Sequence, residues 1–192
     1  MKNIAIYGGA FNPPTLAHEA VAKRCMERQD VSELWFMPSA DRYDKQFDVA
    51  SSHRIAMLEM VAEYLVGHGV VKVSSFEIEE LPPPTQTQKT FKELNRRFGD
   101  LNFRFVLGLD TYMSMPEWSG GKELQASLPM FVSPRFDLRV NLGANAVELP
   151  PVELAASITS TEVRRRIATG QPVESMVRPE VAEYIHANGL YR

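Results

Sequence analysis

The chain has 192 residues, 44% of them hydrophobic and 23% charged, with a formal net charge of −3. That length suits a single domain over 1–192 with a full core, and the acidic balance offers no basic face for nucleic acid or a membrane surface. The single cysteine, Cys25, excludes an internal disulfide and a cysteine zinc cluster; with no signal peptide before the first strand and no apolar run of membrane-span length, a cytoplasmic protein is expected.

Lys2 to Tyr7 reads as a buried strand running into Gly8-Gly9, Ala10 and Phe11. Pro13-Pro14 then stiffens a turn, and Thr15 and His18 open a helix from Ala17 to about Arg28. A strand, a glycine pair and a helix start make a phosphate site, because backbone N–H groups without a nearby Cβ can approach an anion and the helix adds unpaired donors. Thr15 and His18 are three apart and so share one helix face. Cys25 falls in the pattern of this helix and reads as a buried small hydrophobe. Leu34 to Pro38 is a second strand, followed by a polar loop, Ser39 to Ala50, and a helix from Ser51-Ser52-His53-Arg54 to about Leu65. Val70 to Phe76 is β-branched and predicts a third strand, and the acidic, proline-rich Glu77 to Pro84 a stiff loop. Thr87 to Arg97 predicts a helix ended by Gly99, and Asn102 to Leu107 a fourth strand closed by Gly108-Leu109-Asp110. Leu128 to Val132 and Ala146 to Leu149 predict a fifth and a sixth.

Strands alternating with helices in this way predict an α/β fold, a Rossmann-like doubly wound and mainly parallel sheet followed by C-terminal helices. Ligands of such sheets bind at the carboxyl ends of the strands, where Gly8-Gly9, Pro38-Ser39, Gly108–Asp110 and Ser133–Arg135 are expected to converge. Ile158-Thr159-Ser160-Thr161-Glu162 begins a further helix with a capping-box pattern, Thr159 to Glu162, whose hydroxyls and open N–H groups would form another anion site. Gly170 ends it, and Pro179 to Asn188 predicts a last helix.

Gly-Gly-x-Phe-Asn-Pro-x-Thr-x-x-His resembles the signature loop of the nucleotidyltransferases related to class I aminoacyl-tRNA synthetases. There the pattern is usually His-x-x-His, or Thr-x-x-His in eukaryotic-type nicotinamide mononucleotide adenylyltransferases, and Thr15 matches the second version. Ile-Thr-Ser-Thr-x-x-Arg, roughly 140 residues later, resembles the second signature of that superfamily. The segment Pro38 to Lys45 with His53, Arg54 and Met57, the Gly-x-Asp at Gly108–Asp110, Pro116-Glu117-Trp118, and Val177-Arg178-Pro179 with Gly189-Leu190-Tyr191 are similar, in the same order, to the nicotinate/nicotinamide mononucleotide adenylyltransferases. Phosphopantetheine adenylyltransferase and the glycerol-phosphate and choline-phosphate cytidylyltransferases are weaker fits in length and closing motif.

The resemblance implies attack by the 5′-phosphate of a pyridine mononucleotide on the α-phosphorus of ATP, expelling pyrophosphate in NAD biosynthesis. The nucleophile is already ionised, so catalysis would consist of positioning two anions and stabilising transition-state charge. On this reading His18, Lys45 and Arg164 are catalytic: His18 donates to the α-phosphate, Lys45 neutralises phosphate, and Arg164 holds the β- and γ-phosphates. Gly8, Gly9, Ala10, Phe11, Thr15, Asp110, Ser160 and Thr161 bind ATP, with Asp110 accepting from a ribose hydroxyl. Lys45, Thr87, Trp118 and Arg135 bind the pyridine mononucleotide, Trp118 by stacking and Arg135 through a carboxylate or phosphate. Magnesium would be bound through the ATP phosphates, with no protein metal site; His53, His68 and His186 show no metal-ligand spacing. Arg165 and Arg166 are expected to be solvated. Two other classes remain open, an adenylyl- or cytidylyltransferase for another phosphorylated metabolite and a nucleotide-binding sensor without turnover. Nicotinate against nicotinamide is also open, as is whether the chain forms a homo-oligomer.

Overall fold

In a computed structural model, which describes residues 1–40, 47, 49–135, 138 and 140–192, six strands form one sheet. They are β1 (Lys2–Gly9), β2 (Glu33–Pro38), β3 (Val70–Val73), β4 (Leu101–Gly108), β5 (Met130–Ser133) and β6 (Ala146–Glu148), in the order β3-β2-β1-β4-β5-β6. Every neighbouring pair is parallel. The helices between and after them are α1 (Leu16–Met26), α2 (Ser51–Leu65), α3 (Phe76–Glu79), α4 (Thr87–Arg97), α5 (Leu109–Ser114), α6 (Gly121–Ser127), α7 (Glu153–Ser157), α8 (Ser160–Ala168) and α9 (Pro179–Ala187). This is the expected doubly wound order, and its direction reverses between β1 and β4.

A strand covered on both faces must be apolar at successive positions, and β1 shows why Ile4, Ala5 and Ile6 are each 1% exposed. Ala5 and Tyr7 enter a core built with Val21, Cys25, Leu58 and Val181 of α1, α2 and α9. Ile4 and Ile6 enter the opposite core, with Phe91 and Leu94 of α4 and Leu124 of α6. Cys25 is fully buried, and burial pushes its thiol up to about 12. The register sets Gly9 opposite Pro38 and Gly108 opposite Ser133, so the carboxyl ends of four strands meet along one edge. At the other end of the sheet, Glu33 accepts from Lys2 Nζ and Lys72 Nζ at 2.8 Å each and from Trp35 Nε1 at 3.0 Å. These donors, Lys2 first, hold its carboxyl down at about 2 and tie β1, β2 and β3 together.

The third strand stops at Val73, three residues before its expected end. Ser74 N–H still reaches Phe36 O at 2.8 Å, but Ser75 then turns the chain and Phe76 drops into the core as the first residue of α3. The short helices α5, α6 and α7 lie in stretches that carry too few turns to show a period. Among the described residues no helix is long and apolar enough to cross a membrane.

Candidate active site

The phosphate-type loop leaves β1 through two glycines that packing also requires. A Cβ on Gly8 would stand 2.7 Å from Phe105 Cε2, and one on Gly9 would stand 3.1 Å from Phe11 Cζ. Phe11 itself adopts a left-handed backbone with φ 47°, uncommon for a bulky residue. Its ring is held in the core edge-on to Tyr7 and Phe36, with centroids 5.4 and 5.6 Å away. Folding that ring inward carries the loop over the end of the sheet.

Thr15 is the N-cap of α1 and is 2% exposed. Its N–H donates to Nδ1 of His18 at 3.0 Å, and its Oγ1 lies 2.9 Å from the same nitrogen. His18 thus returns a bond to the cap residue, as Glu or Gln does in a capping box. A backbone N–H can only donate, so Nδ1 accepts and the neutral ring carries its proton on Nε2. The ring lies among aromatic neighbours, 5.1 Å from Phe11 and 6.1 Å from Tyr7 between centroids. Burial there lowers its pKa to about 4, so at neutral pH His18 is an uncharged donor through Nε2.

The second motif packs directly on this loop. Thr159 Oγ1 accepts from Glu162 N–H at 3.1 Å and caps α8. The Glu162 side chain does not complete a capping box; it pairs with Arg165 at 2.6 Å and Arg166 at 3.0 Å, so those arginines are not merely solvated. Ser160 Oγ donates to Pro13 O at 2.8 Å, and Arg164 Nη1 donates to Asn12 O at 2.8 Å. Arg164 Nη2 stands 3.5 Å from Thr161 Oγ1. Two further bonds hold the same loop, Leu16 N–H to Met176 O at 2.9 Å and Tyr191 OH to the buried Asn12 Oδ1 at 2.7 Å.

Beside the loop lies a cleft of about 650 Å³, its walls formed by Gly8–Ala10, Ser39 and Ala40 together with Thr85, Thr87 and Trp118. Trp118 is half-buried, with part of the indole packed on the core and part facing the cleft. Thr87 is the first residue of α4. Asp110, in the first turn of α5, is exposed and pairs with Arg135 Nη1 at 2.5 Å. Arg135 was expected beside the acceptor; it follows β5, one strand beyond β4, and neither it nor Asp110 lines this cleft. Lys45 lies outside the described residues. Among the described residues no group of three or more His, Cys, Asp or Glu side chains could hold a metal ion.

Two residues to which the sequence assigned no role in the site also bear on the cleft. Arg54 is fully buried, and its Nη1 donates to Ala10 O at 3.0 Å and Ser39 O at 2.9 Å while the guanidinium lies 4.2 Å from the Phe47 ring centroid. The signal for it is an arginine in register with Met57, Leu58 and Val61, the buried stripe of α2. Glu77 also lines the cleft.

A family model described as cytidylyltransferase-like matches residues 6–166. The probable nicotinate-nucleotide adenylyltransferase of Bacillus licheniformis is 31% identical, over 100% of this chain and 99% of that protein. The nicotinate-nucleotide adenylyltransferase of Bacillus subtilis is 28% identical over the same shares. Among solved structures, Plasmodium falciparum nicotinic acid mononucleotide adenylyltransferase complexed with NaAD superposes with a TM-score of 0.87 at 22% identity, covering 100% of this chain and 98% of that one. That last likeness is one of fold.

Proposed function

The chain belongs to the cytidylyltransferase-like family, and we propose that within it this protein transfers AMP from ATP to nicotinate mononucleotide, releasing pyrophosphate and forming the dinucleotide of NAD biosynthesis. The observation that carries the reading is the docking of Ser160 and Arg164 onto the carbonyls of Pro13 and Asn12, next to a His18 whose Nδ1 is held by Thr15 and whose Nε2 carries the proton. Full-length relatives named for this activity support the choice of acceptor.

The acceptor phosphate is a nucleophile without help from a base, so the site has to bring two anions together and receive charge as it develops on the α-phosphate. His18 Nε2–H is the donor to a non-bridging α-oxygen, and because the ring is neutral and held by Thr15 it needs no reorientation during transfer. The N-terminus of α1 adds the positive end of its dipole at the same place. Arg164, with Ser160 and Thr161, holds the departing pyrophosphate, Lys45 neutralises phosphate, and Asp110 meets the ATP ribose. Thr87 and Trp118 receive the pyridine ring in the cleft. Magnesium brought in with ATP would shield the charge of the leaving pyrophosphate. Reactants of this kind suit a cytoplasmic enzyme.

Pyrophosphate release by the purified protein with ATP and Mg²⁺, measured with nicotinate and nicotinamide mononucleotides in parallel, tests the reading. Faster turnover with the nicotinate form is expected. Silence with both, despite ATP binding, would overturn the proposal, and a preference for the amide would move the acceptor.

A further inference from the structure

The wall of the cleft that carries Thr85 and Thr87 is a strap with little of its own to hold it. Pro82, Pro83 and Pro84 have no N–H, and among the described residues 81–86 make no backbone hydrogen bond outside α4. Among the described residues, the Glu77 side chain ties it down. Glu77 Oε1 accepts from Thr85 Oγ1 at 3.2 Å and from Ala40 N–H at 3.2 Å, and Oε2 accepts from Thr90 Oγ1 at 3.1 Å. A single carboxylate thus joins the strap, the start of α4 and the loop after β2, all of which line the cleft. Thr85 and Thr90 are 3% and 2% exposed, so these are desolvated bonds; without Glu77 the buried Thr85 hydroxyl loses its acceptor, while Thr90 Oγ1 keeps Gln86 O at 3.1 Å.

We propose that Glu77 is a positioning residue for acceptor recognition: it sets the strap against the loop after β2 and the placement of Thr87, and leaves the ATP side to the loop at residues 12–18. The proposal rests on the function given above and deepens it. Its weight should fall on one substrate only. With MgATP and nicotinate mononucleotide, Glu77→Ala should raise the acceptor KM by about tenfold or more while the ATP KM stays within about twofold. Glu77→Gln keeps an oxygen for Thr85 and Ala40 and an amide that Thr90 can accept from, so it should recover most of the loss.

Equal changes in both KM values, no change in either, or a Glu77→Gln variant as impaired as Glu77→Ala would overturn the proposal. Should Glu77→Ala fail to fold, Thr85→Val removes one tie at constant shape, and it too should raise the acceptor KM alone. Hydrogen exchange on the ligand-free protein separates this idea from the function. Amides of 85–90 should exchange faster in Glu77→Ala, or in Thr85→Val if the first is unfolded, and unchanged exchange sinks the clamp even if the enzyme is active. A wild-type protein that turns over neither mononucleotide overturns the function, and the exchange result still decides the clamp.

Discussion

His18 is fixed from two sides, by a backbone donor on Nδ1 and by aromatic rings around the imidazole. An imidazolium there would lose solvation and gain no carboxylate, which is why its pKa falls from 6.5 to about 4. Two outcomes follow at this scale. The pH–rate profile should show no acid limb near 6.5 from this group, because the donor form persists down to about pH 4. His18→Ala should lower turnover by roughly 10²-fold, the size of one lost oriented donor, and turnover within a few-fold of wild type would remove it from the chemistry. The same shift has a sign in stability. Between pH 6.5 and about 4 the unfolded chain binds a proton that the folded one refuses, so this contribution is complete above 6.5 and is lost as pH falls. Melting curves of wild type and His18→Gln should therefore draw together across that window.

At the scale of elements, the amino end of the sheet depends on Glu33, and the carboxyl end on Arg54. Glu33 is held near 2 by Lys2, Lys72 and Trp35, so its contribution is present above about 4.5 and lost as pH falls towards 2. Glu33→Gln should lower the melting temperature at neutral pH, and the difference from wild type should close in acid. Arg54→Met fits the buried stripe of α2 but strips donors from Ala10 O and Ser39 O. It should cost on the order of 2–4 kcal/mol, read by denaturant unfolding, with a loss of activity because both carbonyls belong to cleft walls. Elements with a continuous apolar pattern are legible in the sequence: the predicted α4 matches to the residue, and all six predicted strands are present, with β3 ending three residues early and β5 starting two residues late. What escaped were helices of four to seven residues such as α3 and α6, which are shaped by single events: Phe76 entering the core, or Gly121 packing where a Cβ would meet Met115 O.

Across the whole molecule, the candidate site is assembled from segments far apart in sequence. Arg164→Ala should raise the KM for ATP by about tenfold, since it removes both a cation and the bond to Asn12 O. Unchanged ATP dependence would pass that role to another cation. The residue types of this site were readable from Thr15, His18, Ser160 and Arg164, whose spacing is local to two helix starts. Their mutual contact was not, because it depends on where α8 returns to the sheet. Nor were the roles of Arg54, which holds backbone carbonyls, and of Glu77, which holds two threonine hydroxyls and a backbone N–H, nor the pairing of Arg135 with Asp110 across β4 and β5.

The ties from Ser160, Arg164, Met176 and Tyr191 to residues 12–16 also place the site in time. A ribosome adding about 5–20 residues per second needs roughly ten to forty seconds to travel from the loop to Tyr191. Through that interval the strand made first carries a nucleotide loop without its outer supports. The loop made first is therefore among the last parts of the molecule to be completed, since its outer supports come from Ser160 to Tyr191.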